Sequence, residues 1–293
     1  PDSYEVLFSQ HVPLHREKYL SARLEFDGWQ NTDNEDLISL AYQEKQPAEL
    51  MEKMWKFGRY LFISGTGENE YPFSLYGLWG GDYDLIWSHN MANENTQMIY
   101  WHSFVGNLAE YHRSLFRYYN ERMDIYRKNA RNLFGCRGIY MTAGTTPHVS
   151  TPSQVVPVII NWVGAAGWIA QHYCIYTSYM PEDEDYIREE ICPYLEETAA
   201  FYEDFIQYNA DGTIKLYPSV SPENTPRNFM PPLTEMIAHP MPTTINSTID
   251  LAIINEFFTE MIRLGKRYNM YQDRIGCWEK ILASIPPFST NDL

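Results

Sequence analysis

Helical periodicity dominates this chain and limits its fold more than any other feature of the sequence. Apolar residues recur at intervals of three and four over long stretches, whereas the alternating pattern of a half-buried strand is almost absent. The spacing predicts helices over these approximate ranges: 36–43, 48–63, 94–123, 125–134, 162–179, 183–207, 247–268 and 271–285. We therefore expect an all-α fold, with helices joined alternately by short turns and long loops.

Two local features modify this helical pattern. Pro193 lies inside the predicted helix 183–207 and should kink or interrupt it, because proline has no N–H for the helical hydrogen bond. The run Gly-Ala-Ala-Gly at 164–167 gives the helix 162–179 a thin face that favours close packing.

Long irregular stretches separate the predicted helices, and their placement suggests a cleft. They cover residues 65–84, 136–157 and 211–243. In a ring of antiparallel helix pairs, the loops after every second helix gather at one end. The loops that carry Asn93, Thr145 and Glu223 would then share one rim, where functional side chains are often found.

Charge and hydrophobicity exclude some classes of function. The chain has 293 residues, with 38 acidic and 22 basic side chains and a formal net charge of −16. Clusters of Lys and Arg supply affinity for nucleic acids and anionic membranes, so this balance argues against both partners. No apolar run approaches the ~20 residues of a membrane span. A hydrophobic content of 44% is enough for a sizeable core.

The cysteines and histidines show no metal-binding pattern. The four cysteines are far apart in the sequence: Cys136, Cys174, Cys192 and Cys277. An even number permits two disulfides but does not require them. We expect neither a metal nor an organic cofactor.

Aromatic side chains are abundant, at 15% of residues with 23 Tyr and 8 Trp. Large rings fill protein cores, and Tyr and Trp also stack on sugars while their polar tips donate hydrogen bonds. Composition alone leaves both interpretations open.

The stretch Asn90–Trp101 contains asparagines at positions 90, 93 and 95, just before a predicted long helix. In an extended segment Asn93 and Asn95 would point to the same side. Two carboxamides aimed into one cavity suit a hydroxyl-rich ligand or a water that must be held in one orientation. The alternative is that these asparagines cap the N–H groups of the helix.

Ser221-Pro-Glu-Asn224 places a carboxyl group in a proline-framed loop. A rigid loop would hold Glu223 in place and partly desolvate it, which raises the pKa of a carboxyl toward that of a general acid. The alternative is a helix start with Pro222 at its first position, but Pro226, Pro231 and Pro232 forbid a long helix here.

Several motifs in colinear order resemble glycoside hydrolase family 95, which contains α-L-fucosidases and α-L-galactosidases. They include Phe57-Gly-Arg-Tyr-Leu-Phe-Ile-Ser, Leu75-Tyr-Gly-Leu-Trp, Asn93-Glu-Asn-Thr-Gln-Met-Ile-Tyr-Trp and Ser219-Val-Ser-Pro-Glu-Asn. The resemblance implies an (α/α)6 barrel and an inverting mechanism. By position Glu223 matches the general acid, and Asn93 and Asn95 match the asparagines that orient the attacking water.

The resemblance also implies further site residues and a larger polypeptide. Substrate contacts are expected at Trp79, Tyr83, Met91, Trp101, Thr145, His172 and Asn224. For His172 the alternative of a satisfied core histidine is equally open. Residues 1–35 are expected to be a linker that packs on the helical domain, and residues 36–293 a partial barrel. The last barrel helices, β-sandwich domains and a partner aspartate are expected elsewhere in the polypeptide, with an extracellular or periplasmic location.

The expected activity is exo-acting hydrolysis of α-L-fucosyl or related L-sugar ends, such as L-galactosyl, on an oligosaccharide or glycan. Two alternatives remain at this point. One is a catalytically impaired relative that binds carbohydrate, and the other is a lyase or phosphorylase reaction on the same barrel.

Overall fold

A computed structural model describes residues 3–43, 45–85, 89–145, 157–224, 243–288 and 290. Within these ranges the fold is all-α. The helices are α1 (Tyr4–Leu20), α2 (Asn34–Tyr42), α3 (Ala48–Gly65), α4 (Asn95–Val105), α5 (His112–Asn120), α6 (Met123–Phe134), α7 (Pro157–Ile160), α8 (Ala165–Tyr179), α9 (Glu184–Tyr186), α10 (Cys192–Phe205), α11 (Thr248–Tyr268) and α12 (Ile275–Ala283).

Short elements complete the described part of the chain. A 3-10 turn (Ala109–Tyr111) precedes α5, and a π-helical segment (Ile187–Ile191) joins α9 to α10. Strand β1 (Asn90–Met91) pairs antiparallel with β2 (Gly144–Thr145). Strand β3 (Gln207–Tyr208) pairs in the same way with β4 (Ile214–Lys215).

The predicted continuous helix over 94–123 is wrong, because helix α4 ends at Val105 and a new helix begins only at His112. Asn107 adopts a left-handed conformation with φ of 56°. The backbone N–H of Leu108 turns back to the carbonyl of Ser103 at 2.8 Å and ends the helical ladder. Asparagine tolerates this conformation better than most residues, which makes it a suitable helix terminator.

The two local predictions about Pro193 and the small residues are confirmed. The π-helical segment lies directly before α10, whose second residue is Pro193, so the helical ladder is interrupted where proline lacks an N–H. In α8, a Cβ added at Gly167 would lie 2.4 Å from the hydroxyl of Tyr202 and 2.8 Å from Ile253. Only glycine allows the helices to pack this closely.

Helix α8 is central to the packing and contacts α4, α5, α10 and α11. The largest fully buried side chains in the described part of the chain are all aromatic. The rings of Tyr173 on α8 and Tyr194 on α10, for example, stack with centroids 4.2 Å apart. Much of the unusual aromatic content is therefore explained by core packing.

The N-terminal segment predicted as a linker contains α1, which packs on α3. The buried Arg59 of α3 connects the two helices: its Nε donates to the carbonyl of Tyr19 at 2.9 Å, and its other nitrogens reach the carbonyls of Lys18 and Gly106. Arginine can bridge several carbonyl groups in this way because its planar guanidinium group carries five N–H donors.

Disulfides do not reinforce this packing. All four cysteines are free thiols, with Cys277 exposed and the others buried. Among the described residues no group of three or more His, Cys, Asp or Glu side chains could hold a metal ion. No helix in those ranges is long and apolar enough to cross a membrane.

Candidate functional site

The asparagine-rich stretch, called here the amide segment (Asn90–Gln97), is held by contacts distant in sequence. After the β1–β2 ladder, the Ala92 N–H donates to the carbonyl of Ala143 at 2.6 Å. The Gln97 Nε2 then donates to the carbonyl of Ala92 at 2.6 Å. These bonds fix the turn through which the chain enters α4.

The expected extended alternation of Asn93 and Asn95 is wrong. The chain leaves the strand after Met91, Asn93 lies in a turn, and Asn95 is the first residue of α4. The Met98 N–H already donates to the Glu94 carbonyl at 2.9 Å, so the helical ladder starts here. The two asparagines are half-buried at the entrance of the helix.

The carboxamides of the amide segment do not cap the helix. No side-chain hydrogen bond caps α4. Three buried side-chain oxygens of this segment accept no hydrogen bond from the described residues: Asn90 Oδ1, Asn93 Oδ1 and Gln97 Oε1. A buried acceptor without a partner costs roughly 1–3 kcal/mol, so several in one segment indicate a place for water or ligand.

A cleft of 590 Å³ lies beside the amide segment, with His89 and Asn90 in its wall. Other parts of its wall come from the end of α3 and from the predicted long loop over 65–84, including Thr66, Tyr71 and Leu78. The sequence did not predict His89, Thr66 and Tyr71 as ligand-binding residues, since none of them belongs to a motif.

A larger groove of 880 Å³ lies between α1, α2 and α3 and is lined mainly by apolar side chains, such as Met54 and Phe57. Neither this groove nor the 590 Å³ cleft is lined by a predicted site residue, Asn93, Asn95 and Glu223 included, although Asn90 of the amide segment lies in the wall of the cleft. The cleft beside the amide segment is the better candidate, because it combines moderate size with convergent polar groups.

Met91 and Thr145, predicted as sugar contacts, are both buried, and they hold the start of the amide segment in the β1–β2 ladder. Met91 belongs to β1, and Thr145 belongs to β2, opposite Asn90. The Tyr118 hydroxyl donates to Thr145 Oγ1 at 3.0 Å. Burial in the strand ladder leaves these two side chains no surface for a sugar in this structure.

His172, a further predicted contact, is completely buried in a hydrogen-bonded chain with His112 and Ser103. His112 Nδ1 lies 3.2 Å from Ser103 Oγ, and His112 Nε2 lies 3.1 Å from His172 Nδ1. Burial lowers the pKa of His172 to about 3 and that of His112 well below its usual value, so both rings are neutral.

The Ser103 hydroxyl determines the tautomers of both rings. It donates to the Tyr100 carbonyl at 2.7 Å, so it accepts from His112, and His112 in turn accepts from His172. His172 lies behind the half-buried Trp101, with ring centroids 5.9 Å apart. The histidine pair thus packs against the C-terminal half of α4 from within the core.

Trp79 and Tyr83 lie on the exposed part of the long loop. The Trp79 ring is 46% exposed and packs on Phe73 with centroids 6.2 Å apart. Tyr83 is 98% exposed and contacts little of the protein surface. Neither side chain lines the 590 Å³ cleft, although Gly77 and Leu78 do.

The second half of the candidate site is the acid turn (Ser219–Asn224), which carries Glu223. The Asn224 N–H closes it by donating to the Ser221 carbonyl at 2.8 Å. Glu223 and Asn224 are both exposed, so the expected partial burial of Glu223 is not found. The turn places the carboxyl at the surface, and no hydrogen bond in the described residues joins it to Asn93 or Asn95.

A buried carboxylate lies beneath the acid turn. Asp250 Oδ2 accepts from Ser219 Oγ at 2.6 Å and from Ser247 Oγ at 3.0 Å, and it lies 3.4 Å from the Val220 nitrogen. Burial raises the pKa of Asp250 to about 7, while these hydrogen bonds favour the charged form. From sequence, Asp250 at the head of its helix could be catalytic, but N-capping or a first-turn charge is the stronger interpretation, because its partners at 219 and 220 are distant in the chain.

The chain is similar to several known proteins. It is 26% identical to alpha-L-fucosidase 2 of Arabidopsis thaliana over 97% of its length and 34% of that protein. It is 28% identical to a probable alpha-fucosidase A of Aspergillus niger over 76% of its length and 29% of that protein. The chain therefore spans about a third of the length of these curated relatives.

A structural relative supports the fold alone. The fold is similar to that of a putative kojibiose phosphorylase from the human microbiome, with a TM-score of 0.58 at 11% sequence identity. The similarity covers 90% of this chain and 44% of that one. It confirms the predicted all-α fold of the (α/α)6-barrel type.

A family model gives the most extensive match. Residues 3–292 match the model described as the glycosyl hydrolase family 95 catalytic domain. The match includes the amide segment, the acid turn and the N-terminal helix α1. Because it covers nearly the whole sequence, this chain belongs to glycosyl hydrolase family 95.

Proposed function

We propose that the protein is an inverting, exo-acting α-L-glycoside hydrolase that removes α-L-fucosyl or related L-sugar ends, such as L-galactosyl, from glycans. Family membership supports glycoside hydrolysis. The names of the two curated relatives support a fucosyl substrate. The observation that carries the proposal is the set of unpartnered buried amide oxygens at the entrance of α4.

In this proposal Glu223 is the general acid and protonates the glycosidic oxygen as the leaving group departs. A water attacks the anomeric carbon from the opposite face, so the product has the inverted configuration. Inversion requires a separation of roughly 6.5–9.5 Å between the acid and the groups that handle this water.

Asn93 and Asn95 hold the water. A neutral carboxamide accepts a hydrogen bond through its oxygen and donates through its nitrogen, so it orients water without taking its proton. The unpartnered Oδ1 of Asn93 is suited to accept such a bond. The proton then passes to the partner aspartate that the family resemblance implies elsewhere in the polypeptide.

Replacing the acid tests the proposal directly. Glu223→Gln removes the proton donor but keeps the size of the side chain. With a natural glycan we expect turnover to fall roughly 10²- to 10⁴-fold, the range of general acid catalysis. Glu182→Gln is the matched control, since Glu182 is an exposed carboxyl outside both the amide segment and the acid turn. Near-normal turnover by Glu223→Gln would remove the assignment.

The stereochemistry of the first product tests the mechanism separately. Proton NMR during turnover should show the β-anomer of the released L-sugar before mutarotation. An α-anomer formed first would contradict inversion. Glycan binding without any released sugar would instead select the impaired carbohydrate-binding relative.

A further inference from the structure

We infer that Asp250 is a positioning residue: its buried carboxylate anchors the acid turn from beneath and thereby sets the direction in which Glu223 delivers its proton. The inference rests on the proposed role of Glu223. It assigns a function to a buried acid that has no part in the mechanism proposed above.

The first support is the closed hydrogen-bond network between the acid turn and α11. The Ser247 N–H donates to Ser219 Oγ at 2.9 Å, and Ser219 Oγ is 2.6 Å from Asp250 Oδ2. The Ser247 hydroxyl lies 3.0 Å from both Asp250 Oδ2 and the Val220 carbonyl. The Ser219 hydroxyl and the Val220 backbone groups therefore contact Ser247 or Asp250.

The backbone of the turn is fixed on its other side as well. Ser219 and Thr244 form an isolated antiparallel bridge, with N–H to carbonyl distances of 3.1 and 2.8 Å. Ser219 and Val220 are completely buried. The chain becomes exposed only at Glu223, three residues beyond Val220, so the anchor lies directly before the acid.

The second support is the confinement of the other carboxylate oxygen. A Cβ added at Gly164 would lie 2.8 Å from Asp250 Oδ1 and 2.6 Å from Trp162 Nε1. Both atoms lie against the same glycine and do not reach full hydrogen-bond geometry with each other. The Trp162 indole N–H nevertheless faces the carboxyl group, favours its charged form and so lowers the pKa of Asp250 against the effect of burial. The carboxylate oxygen that does not contact the acid turn is therefore packed close to Gly164 and Trp162.

The third support is that a buried carboxylate at position 250 is energetically unfavourable, so stability alone does not account for it. No Lys or Arg of the described residues forms an ion pair with Asp250. Burying an unpaired carboxylate is unfavourable, and a neutral amide would form similar hydrogen bonds without that cost. Above its pKa of about 7 the Asp250 carboxylate is charged, and a charged acceptor holds hydroxyl and N–H donors more strongly than a neutral one, which favours a role in fixing geometry.

Leaving-group dependence distinguishes positioning from simple structural support. A poor leaving group, such as a sugar hydroxyl, needs protonation, whereas an activated aryl leaving group such as nitrophenolate needs little. Asp250→Asn in the full-length protein should lower kcat on an α-L-fucosyl oligosaccharide about 10- to 100-fold. We expect only a few-fold loss on the nitrophenyl α-L-fucoside, with KM unchanged on both substrates.

Combination with the acid variant provides the second measurement. If Asp250 acts through Glu223, adding Asp250→Asn to Glu223→Gln should cost less than about 3-fold on either substrate. Should Asp250→Asn fold poorly, Ser219→Ala removes one donor from the same carboxylate and should show a weaker form of the same substrate dependence.

Glu203→Gln is the matched control. Glu203 is another largely buried carboxylate, and it accepts from the Trp278 indole at 2.8 Å and from Arg274 at 2.9 Å, away from the acid turn. It should affect both substrates alike. Equal losses on both substrates for Asp250→Asn, or a fully additive double variant, would overturn the positioning role while leaving Glu223 in place. A Glu223→Gln variant without leaving-group dependence would overturn the proposed function itself.

Discussion

The amide segment and the acid turn form the two halves of the proposed site, and they are stabilised in opposite ways. At the amide segment the functional side chains are half-buried or buried, and several of their oxygens have no partner among the described residues. At the acid turn the functional carboxyl is exposed, whereas the groups beneath it are buried and densely hydrogen-bonded.

This difference matches the two tasks in the mechanism. Holding a water requires free acceptors in a protected place, and their desolvation is offset only when the water or substrate arrives. Delivering a proton requires a carboxyl that points in a fixed direction, and a rigid support beneath the turn supplies that direction. The rigid support therefore lies under the acid, and the unsatisfied polar groups lie at the amide segment.

After the loss of Glu223 itself, the largest expected effect comes from removing an amide. Asn93→Ala should lower kcat roughly 10²- to 10³-fold, comparable to the loss of one well-placed polar group in other active sites. Unlike the acid-side variants, it should do so equally for oligosaccharide and nitrophenyl substrates, because water attack is needed in both reactions. Steady-state kinetics on the two substrates measures this.

Asn209→Ala provides the control for the amide variant. Asn209 is an exposed asparagine whose amide bonds to Thr213, and its replacement should leave both rates unchanged. A leaving-group-dependent loss in Asn93→Ala would break the assignment of the two halves to separate tasks.

Sequence patterns predicted the regular parts of the fold well, because helical periodicity is a local property. The helices at 48–65 and 123–134 and the interruption at Pro193 follow from neighbouring residues. The break at Asn107 was not predicted, since apolar residues at helical spacing continue on both sides of it. A single left-handed residue is enough to override that pattern.

The candidate site was less predictable, because its support comes from contacts distant in sequence. Asn90 pairs with Thr145 across more than fifty residues. Asp250 meets Ser219 from a different part of the chain. Motifs indicate which residue types occur at the site, but they do not show that Thr145 and His172 are buried.

The next largest effect concerns the pH dependence of stability. The pKa of Asp250 is about 7 in the folded protein and near its ordinary value of 3.8 when unfolded. Between these values the folded state retains a proton that the unfolded state loses, so rising pH destabilises the protein. The three-unit difference corresponds to up to about 4 kcal/mol.

Asp250→Asn removes this contribution. Relative to the natural protein, the variant should therefore gain stability steadily from pH 4 to pH 7 and change little above pH 8. Urea unfolding at a series of pH values measures the difference in unfolding free energy, and other titrating groups cancel in the comparison. A pH-independent difference would show that Asp250 is ionised throughout, in conflict with its raised pKa.

The smallest effect tests the support behind the amide segment. Thr145→Val keeps the shape of the side chain but removes the acceptor for the buried Tyr118 hydroxyl. We expect a loss of about 1–2 kcal/mol in unfolding free energy, because that hydroxyl is left without a partner. Adding Tyr118→Phe should restore part of the loss, since the unsatisfied group is then gone. If the single variant is as stable as the natural protein, the β1–β2 ladder holds the amide segment without this bond.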